Sequence, residues 1–162
     1  MKSALAYPTW AQVETGVSRL CLDIQRLSMK TRHEFQPTLV VGLARGGLVP
    51  AVRVSHLLNL PFAALSYSSP KGMGDKVESG NTTGLLEVLS YWDHMKHKDV
   101  IIVDDIIDSG HTMAFVAKMF AKNDWNVVTA CLHLRETSVF TPTLAWQTIK
   151  ADDSWIVYPW EL

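Results

Sequence analysis

The run at residues 99–112, DVIIVDDIIDSGHT, constrains the fold more than any other part of the chain. Its four consecutive apolar residues, 100–103, lead into two carboxylates, Asp104 and Asp105, and a third carboxylate, Asp108, follows. A strand that is apolar on both faces is typical of the interior of a parallel sheet. Ligands of open α/β sheets bind at the carboxyl ends of such strands. The run therefore predicts a central strand that brings three acids to a binding site.

The residues after this strand predict a phosphate-binding turn. Ser109 and Thr112 supply hydroxyl groups, and Gly110 permits a tight backbone turn. Apolar residues then recur at helical spacing at 113, 116, 117 and 120, which predicts a helix packed on the sheet. Backbone N–H groups at the start of such a helix bind phosphate well. The acids Asp104 and Asp105 suit ribose hydroxyls or a divalent cation, which prefers oxygen ligands.

A second strand followed by a glycine-rich loop is predicted earlier in the chain. Residues 37–43 indicate a buried strand, and the loop after it contains Arg45, Gly46 and Gly47. Adjacent glycines let the backbone approach a ligand closely, and the Arg45 guanidinium is a permanent charge for phosphate oxygens. Taken alone, such a loop is also compatible with an ordinary strand-to-helix connection.

The remaining patterns predict one α/β domain. Thr9 and Gln12 form a capping box in front of an amphipathic helix. Further strands are predicted at residues 61–67, 125–134 and 144–149, and the apolar run at 84–89 is interpreted as another strand. A length of 162 residues suits a single domain with a substantial core.

Charge and cysteine content argue against several classes of protein. The chain has 15 Lys and Arg against 16 Asp and Glu, a formal charge of −1, which gives no reason to expect broad nucleic-acid or membrane binding but is compatible with a local basic patch. Cys21 and Cys131 lack metal-ligand spacing and are predicted to be reduced core residues. The sequence shows no signal-peptide core and no apolar stretch of about 20 residues. We therefore expect a cytoplasmic protein.

Three motifs carry a resemblance to a known family. Residues 100–112 resemble the phosphoribosyl-pyrophosphate (PRPP) signature of type I phosphoribosyltransferases. Residues 43–50, LARGGLVP, resemble the pyrophosphate loop of bacterial xanthine-guanine phosphoribosyltransferases. Residues 153–161, DSWIVYPWE, resemble the purine-binding ending of those enzymes and of related hypoxanthine enzymes. The motifs stand in the same order as in the family, and the resemblance extends over residues 9–161.

The resemblance implies a fold and an activity. The fold is a Rossmann-like α/β domain over residues 1–162, with a central, mostly parallel sheet flanked by helices. Its core is expected at about 9–134, a base-binding hood at about 135–162 and a mobile lid at about 68–83. The implied activity is a purine salvage reaction. It joins guanine, xanthine or hypoxanthine to PRPP with Mg²⁺ as cofactor, giving the nucleoside 5′-monophosphate and pyrophosphate in a homodimer or homotetramer.

The resemblance also implies a role for individual residues. The 5′-phosphate is expected to bind Asp108, Ser109, Gly110, His111 and Thr112. Pyrophosphate is expected to bind Ala44, Arg45, Gly46 and Gly47, with a cis peptide bond between the first two. Ribose and metal are assigned to Asp104 and Asp105, base stacking to Trp155, a backbone contact with the base edge to Ile156, and proton transfer at purine N7 to Asp108.

One departure from the family concerns recognition of the base. The family contacts the purine 6-oxo group with a lysine, and the corresponding position here is His133. Either His133 or the nearby Arg135 is expected to donate the hydrogen bond instead. Three alternatives remain open at this point. They are a PRPP-sensing regulator that binds RNA, a phosphoribosyltransferase for adenine or a pyrimidine, and a phosphate-binding fold without PRPP chemistry.

Overall fold

The computed structural model describes residues 5–31, 35–68, 81–92, 98–152 and 154–162. In chain order its elements are β1 (Leu5–Ala6), α1 (Trp10–Lys30), β2 (Leu39–Ala44), α2 (Leu48–Leu58), β3 (Phe62–Ser68), β4 (Asn81–Thr83), α3 (Leu85–Tyr91), β5 (Asp99–Ile107), α4 (His111–Ala121), β6 (Asn126–Arg135), β7 (Leu144–Ile149) and β8 (Trp155–Ile156). No helix in this described part of the chain combines the length and apolarity needed to cross a membrane.

Six strands form the main sheet, in the order β4-β3-β2-β5-β6-β7. All neighbours in it are parallel except β4, which runs antiparallel to β3. β5 lies inside the sheet, and residues 100–103 are completely buried. The prediction of a mostly parallel sheet with this run as an inner strand is therefore confirmed. A separate two-stranded parallel sheet pairs β1 with β8.

Helices cover both faces of the main sheet and enclose two cores. The first core lies under α1 and α2, where Val17 and Val54 meet Ile101. The second lies under α4, where Val116 and Phe120 meet Ile102. Because β5 is covered on both sides, its apolar residues do not alternate with polar ones.

Helix α1 begins where the capping box predicts. The Gln12 N–H donates to Thr9 Oγ1 over 3.2 Å, and the Thr9 N–H donates to Gln12 Oε1 over 2.8 Å. Each side chain thus satisfies one backbone donor that the first helical turn leaves free. The buried face of the helix then carries the predicted apolar residues, including Val13, Val17 and Ile24.

The strand predicted at residues 84–89 is wrong. The returning strand is β4, at Asn81–Thr83, and Gly84 follows it with a φ of +92°, after which α3 begins. Val88 is buried in the second core as part of this helix. A short apolar run lacks the periodicity that separates a strand from a buried helix, so the sequence alone did not resolve the two. The central residues of the predicted lid, 69–80, lie outside the described residues.

The segment after β6 divides between two sheets. β7 extends the edge of the main sheet next to β6, whereas β8 pairs with the first strand of the chain. The pairing of β1 with β8 was not predicted. It fixes the aromatic tail, residues 155–161, next to the start of α1.

Candidate active site

The acidic pair, Asp104 and Asp105, lies where β5 changes the direction of its side chains. Before the pair, Ile101 and Val103 face the first core; after it, Ile106 packs against the first core and Ile107 enters the second. Strict alternation would place 105 and 107 on the side of 101 and 103. The alternation therefore shifts by one residue at the acids.

Both carboxyl groups of the acidic pair accept a backbone hydrogen bond, and both have raised pKa values. Asp104 Oδ1 accepts from the Asp105 N–H over 3.0 Å, and Asp105 Oδ1 accepts from the Ile106 N–H over 2.8 Å. Burial raises the pKa of Asp104 well above its usual range, and the neighbouring Asp105 charge adds to the shift. Burial also raises the pKa of Asp105. A cation would offset the cost of ionising both groups.

The donor set of the pair fits a magnesium ion that is shared with a substrate. Carboxylate oxygens are ligands that Mg²⁺ prefers, and the ion often takes one or two of them together with substrate phosphates and water. Among the described residues there is no cluster of three or more His, Cys, Asp or Glu side chains that would hold a metal. The acidic pair therefore suits an ion whose remaining ligands come from a bound molecule and water.

The glycine loop, residues 44–47, packs directly against the acidic pair. The peptide bond between Ala44 and Arg45 is cis, as the family resemblance implied. A Cβ at Gly46 would overlap the Asp105 carboxylate, and a Cβ at Gly47 would lie 2.7 Å from Asp104 Oδ1. Only glycine allows the loop to approach the acids this closely. The Arg45 side chain is exposed.

The phosphate turn, residues 108–112, connects β5 to α4. Gly110 has a φ of +88° and caps the N-terminus of α4. The Val139 N–H donates to the carbonyl oxygen of Ser109 over 3.0 Å, which attaches the turn to the loop after β6. A small cavity of about 120 Å³ lies here, lined by Asp104, Ile106, Ile107, Asp108, Ser109, Gly110, Thr112 and Met113. His111 is the first residue of α4. The structure thus places Asp104, one of the two acids assigned to ribose and metal, beside the predicted phosphate turn.

Asp108 has a partner that the sequence analysis did not assign to it. Arg135 Nε donates to Asp108 Oδ1 over 2.5 Å, and Arg135 Nη1 donates to the carbonyl oxygen of Lys150 over 3.0 Å. Arg135 is only 9% exposed, whereas the Asp108 side chain is 46% exposed. The two residues follow Ile107 and Leu134, which are partners in the parallel pairing of β5 with β6. Aligning the predicted ends of these strands would have suggested the contact.

His133 lies in a buried hydrogen-bond chain. Its Nδ1 is 2.7 Å from the Tyr158 hydroxyl, and that hydroxyl donates to the carbonyl oxygen of Asp105 over 2.9 Å. A carbonyl only accepts, so the hydroxyl proton points to Asp105 and His133 Nδ1 carries the proton that Tyr158 accepts. Burial lowers the pKa of His133 to about 4, although a hydrogen bond with Gln147 offsets part of the shift. The imidazole is therefore neutral at neutral pH. Tyr158 was not predicted.

The aromatic tail separates two of the predicted base-binding residues. Trp155 is 48% exposed, whereas Ile156 is buried. Successive side chains of a strand point to opposite sides, so these two face different environments. Ile156 shares a pocket of about 380 Å³ with His133 and Gln147. The structure thus brings Ile156 and His133 together, with the Trp155 side chain on the other side of β8.

Comparison with known proteins gives one family. The model for the phosphoribosyl transferase domain matches residues 10–162. A xanthine-guanine phosphoribosyltransferase of Ruegeria sp. (strain TM1040) is 31% identical over 161 residues, covering 95% of this chain and 84% of the relative. The enzyme of the same name from Gluconobacter oxydans (strain 621H) is 28% identical, covering 94% of this chain and 82% of the relative.

Solved structures have the same fold. A purine phosphoribosyltransferase from Pyrococcus horikoshii Ot3 is 29% identical with a TM-score of 0.73, covering 98% of this chain and 94% of that one. A hypothetical protein from Neisseria gonorrhoeae with bound ppGpp is 21% identical with a TM-score of 0.78, covering 100% and 92%, a likeness that concerns the fold alone. The predicted α/β fold of the type I phosphoribosyltransferases is therefore confirmed.

Proposed function

The chain belongs to the phosphoribosyl transferase domain family, and we propose that it transfers the 5-phosphoribosyl group of PRPP to a 6-oxopurine. The acceptor is guanine, xanthine or hypoxanthine, and the products are the nucleoside 5′-monophosphate and pyrophosphate. The observation that supports this best is the contact of three motifs at the carboxyl ends of β2 and β5. There the glycine loop packs against the acidic pair, which adjoins the phosphate turn.

The two loops are proposed to hold the two ends of PRPP. Ser109, Gly110, His111 and Thr112 would bind the 5′-phosphate at the start of α4, where backbone N–H groups and the helix dipole favour an anion. Ala44, Arg45, Gly46 and Gly47 would bind the pyrophosphate oxygens. Fixing both ends places C1′ opposite the base, and such positioning supplies much of the rate of a transfer reaction.

Asp104 and Asp105 are proposed to hold Mg²⁺ together with ribose and pyrophosphate oxygens. When bound, the ion would neutralise charge that builds up on the leaving pyrophosphate. The raised pKa values of the two acids support this assignment, because a buried carboxylate pair is costly to ionise without a cation. Gly46 and Gly47 keep the glycine loop close enough to the acidic pair for one ligand to touch both the loop and the two acids.

Four residues are proposed to serve the base. The half-exposed Asp108 would take or relay the N7 proton as a general base. Trp155 offers an exposed aromatic face for stacking, and the backbone of Ile156 would contact the base edge. His133, assigned to the base by resemblance, is neutral and bonded to Tyr158, so it would act as a fixed neutral group.

The assembly and location of the protein are proposals of the same kind. We propose a homodimer or homotetramer in the cytoplasm, without nucleic-acid or membrane partners. A near-neutral charge of −1 agrees with this proposal, since surfaces that bind nucleic acid or anionic membranes are strongly basic.

A base panel tests the function directly. The protein is incubated with PRPP and Mg²⁺ against guanine, xanthine, hypoxanthine, adenine, uracil and orotate, and pyrophosphate release and nucleotide formation are followed. We expect turnover with one or more 6-oxopurines and none when PRPP or Mg²⁺ is omitted. Turnover with adenine or a pyrimidine alone would reassign the acceptor. Binding of PRPP without turnover of any base would favour a regulatory protein.

A further inference from the structure

Asp105 lies where β5 loses one of its two neighbouring strands, because the pairing of β5 with β2 ends at Val103. Two side chains bond the backbone of Asp105 at this point. Its N–H donates to Asp104 Oδ1 over 3.0 Å, and its carbonyl oxygen accepts from the Tyr158 hydroxyl over 2.9 Å. The position of this acid therefore depends on a residue of the aromatic tail.

A single peptide unit connects the Tyr158 hydroxyl to the Asp105 carboxylate. The carbonyl of this unit belongs to Asp105 and its N–H to Ile106, and that N–H donates to Asp105 Oδ1 over 2.8 Å. The unit is trans and planar, so its C=O and N–H point in opposite directions. Because Tyr158 holds the carbonyl, it also fixes the direction of the N–H and of the carboxylate oxygen that accepts from it.

The Tyr158 hydroxyl is itself held in one place. Tyr158 is 1% exposed, and its ring stacks on Trp160 with the centroids 4.6 Å apart. His133 Nδ1 donates to the hydroxyl oxygen over 2.7 Å, which directs the hydroxyl proton to Asp105. Burial raises the pKa of Tyr158 above its usual range, so the hydroxyl keeps its proton at neutral pH. The Asp105 carbonyl thus accepts from a donor whose position and proton are both fixed.

The second oxygen of the Asp105 carboxylate faces the glycine loop. Asp105 Oδ2 is the atom nearest to the position that a Cβ on Gly46 would take. The backbone therefore holds Oδ1, whereas Oδ2 lies at the contact between the acidic pair and the loop that is proposed to bind pyrophosphate. This is the oxygen best placed to bind a cation shared with pyrophosphate.

We propose that Tyr158 is a positioning residue for the Asp105 carboxylate and that it increases the affinity of the site for the divalent cation bound with PRPP. The hydroxyl acts through the 105–106 peptide unit and touches neither substrate nor ion. Ligands that are already oriented bind more tightly, because less ordering is needed on binding. This inference rests on the proposed function and concerns a residue to which the family resemblance assigned no role.

Mn²⁺ binding measures this role without turnover. Free Mn²⁺ is followed by electron paramagnetic resonance in solutions of the full-length protein with PRPP and no base, corrected for the Mn²⁺ that PRPP binds alone. We expect Tyr158→Phe to weaken Mn²⁺ binding about fivefold or more, because one hydrogen bond to the carbonyl is lost. The number of sites is fitted separately, so a misfolded fraction does not enter the affinity. Tyr7→Phe removes an exposed hydroxyl and should bind Mn²⁺ as the wild type does.

Steady-state kinetics separate this role from support of the base-binding segment. At saturating PRPP and base, the Mg²⁺ concentration that gives half of the maximal rate should rise in Tyr158→Phe in parallel with the loss of Mn²⁺ affinity. The KM for the base should change by less than about threefold, because the hydroxyl contacts the acidic pair and not the base. A residue that merely supports the aromatic tail would change the KM for the base and not the Mg²⁺ requirement.

A double-variant cycle tests whether Tyr158 acts through Asp105. Asp105→Asn alone should weaken Mn²⁺ binding more than Tyr158→Phe does, because it removes a charged oxygen ligand. In the Asp105→Asn background, Tyr158→Phe should change the affinity by less than about twofold, since the oxygen that it positions no longer carries the charge. Residues that act independently would instead give effects that multiply.

A second variant keeps the test decisive if Tyr158→Phe fails to fold. His133→Leu removes the donor that orients the hydroxyl and should weaken Mn²⁺ binding at least about twofold. The inference would be overturned by an unchanged Mn²⁺ affinity in the variant used, by effects that multiply in the double variant, or by a change in the KM for the base alone.

The wild type distinguishes this inference from the proposed function. A wild type that binds Mn²⁺ with PRPP but turns over no purine would contradict the proposed function and leave the role of Tyr158 standing. A wild type that binds no Mn²⁺ in the presence of PRPP would overturn both.

Discussion

His133 is a histidine whose burial makes the fold sensitive to mild acid. Its pKa is about 4 in the folded chain, whereas an unfolded histidine titrates near pH 6.5. Between these two pH values the unfolded chain therefore binds a proton at this histidine, whereas the folded chain does not. Stability from this residue is complete above pH 6.5 and is lost as the pH falls towards 4.

Replacing His133 should remove this acid sensitivity. We expect the wild type to lose about 2 kcal/mol more unfolding free energy than His133→Asn between pH 7 and pH 5. Urea unfolding of both proteins at the two pH values measures the difference. His56→Asn, at an exposed histidine of α2, is the control and should follow the wild type. Equal pH dependence of the wild type and His133→Asn would show that the buried ring is not kept neutral.

Asp104 has the opposite pH dependence. Its pKa is raised by burial and by Asp105, so the folded chain holds its proton more tightly than the unfolded chain does. The stability that it contributes is present below its unfolded pKa, near 4, and is lost as the pH rises through the folded value. Ionising the buried pair therefore opposes folding in the absence of a cation.

Asp104→Asn should accordingly stabilise the fold while impairing the reaction. We expect about 1 kcal/mol or more of added stability at pH 8, little gain at pH 4, and a higher Mg²⁺ requirement for turnover. Thermal unfolding and Mg²⁺ titration of the rate provide the measurements. The exposed Asp152→Asn should change neither quantity. A larger gain in stability of Asp104→Asn over the wild type at pH 4 than at pH 8 would contradict the raised pKa of Asp104.

At the scale of elements, Tyr158 joins three strands. It follows β8, and its hydroxyl accepts a hydrogen bond from His133 on β6 and donates one to the backbone carbonyl of Asp105 on β5. Its ring stacks on Trp160 at 4.6 Å with an interplanar angle of 6°. Tyr158→Phe keeps this stack but leaves two buried polar groups without their partner.

We expect Tyr158→Phe to cost about 1–3 kcal/mol of stability. It should also release the His133 proton from Nδ1, which ¹⁵N chemical shifts of the imidazole detect directly. Tyr7→Phe removes a hydroxyl from an exposed tyrosine and should alter neither measurement. A His133 tautomer that is the same with and without the Tyr158 hydroxyl would refute the deduced polarity of the chain.

The elements that sequence patterns located best are those whose signal is local. Three features are determined by residues that lie next to each other in the sequence, and the structure has all of them. They are the capping box at Thr9, the β-branched run before Asp104 and the turn at Gly110. The contacts of Arg135 and Tyr158 were missed because they depend on which strand ends meet, and no local pattern encodes this. The helix at residues 85–91 was missed because seven residues span too few turns to show a period.

At the scale of the whole molecule, the first strand holds the last one in place. Ala6 is paired with Ile156, and the Val157 N–H donates to the carbonyl oxygen of Ala6 over 2.9 Å. An isolated two-residue strand has no stability of its own. The position of Trp155 therefore depends on residues at the opposite end of the sequence.

Removing residues 1–6 should weaken base binding more than PRPP binding. We expect the KM for the base to rise about tenfold or more, as is typical when a stacking contact worth roughly 1–3 kcal/mol is lost, with a much smaller change for PRPP. Steady-state kinetics with each substrate varied in turn gives both values. A variant that lacks only residues 1–4 retains β1 and is the matched control. An equal rise for both substrates would mean that β1 supports the whole site.

The pairing of β1 with β8 also joins a segment near the start of the described chain, residues 5–6, to a segment near its end, residues 155–156. A circular permutant, in which a short flexible linker joins the ends and a new opening is cut elsewhere, would preserve every strand of the main sheet. The exposed turn at residues 122–124, between α4 and β6, offers such an opening far from the glycine loop and the acidic pair in sequence. Linking the ends would convert a weak two-residue pairing into a covalent tether. The same architecture would then hold the aromatic tail in place by connectivity instead of by hydrogen bonds.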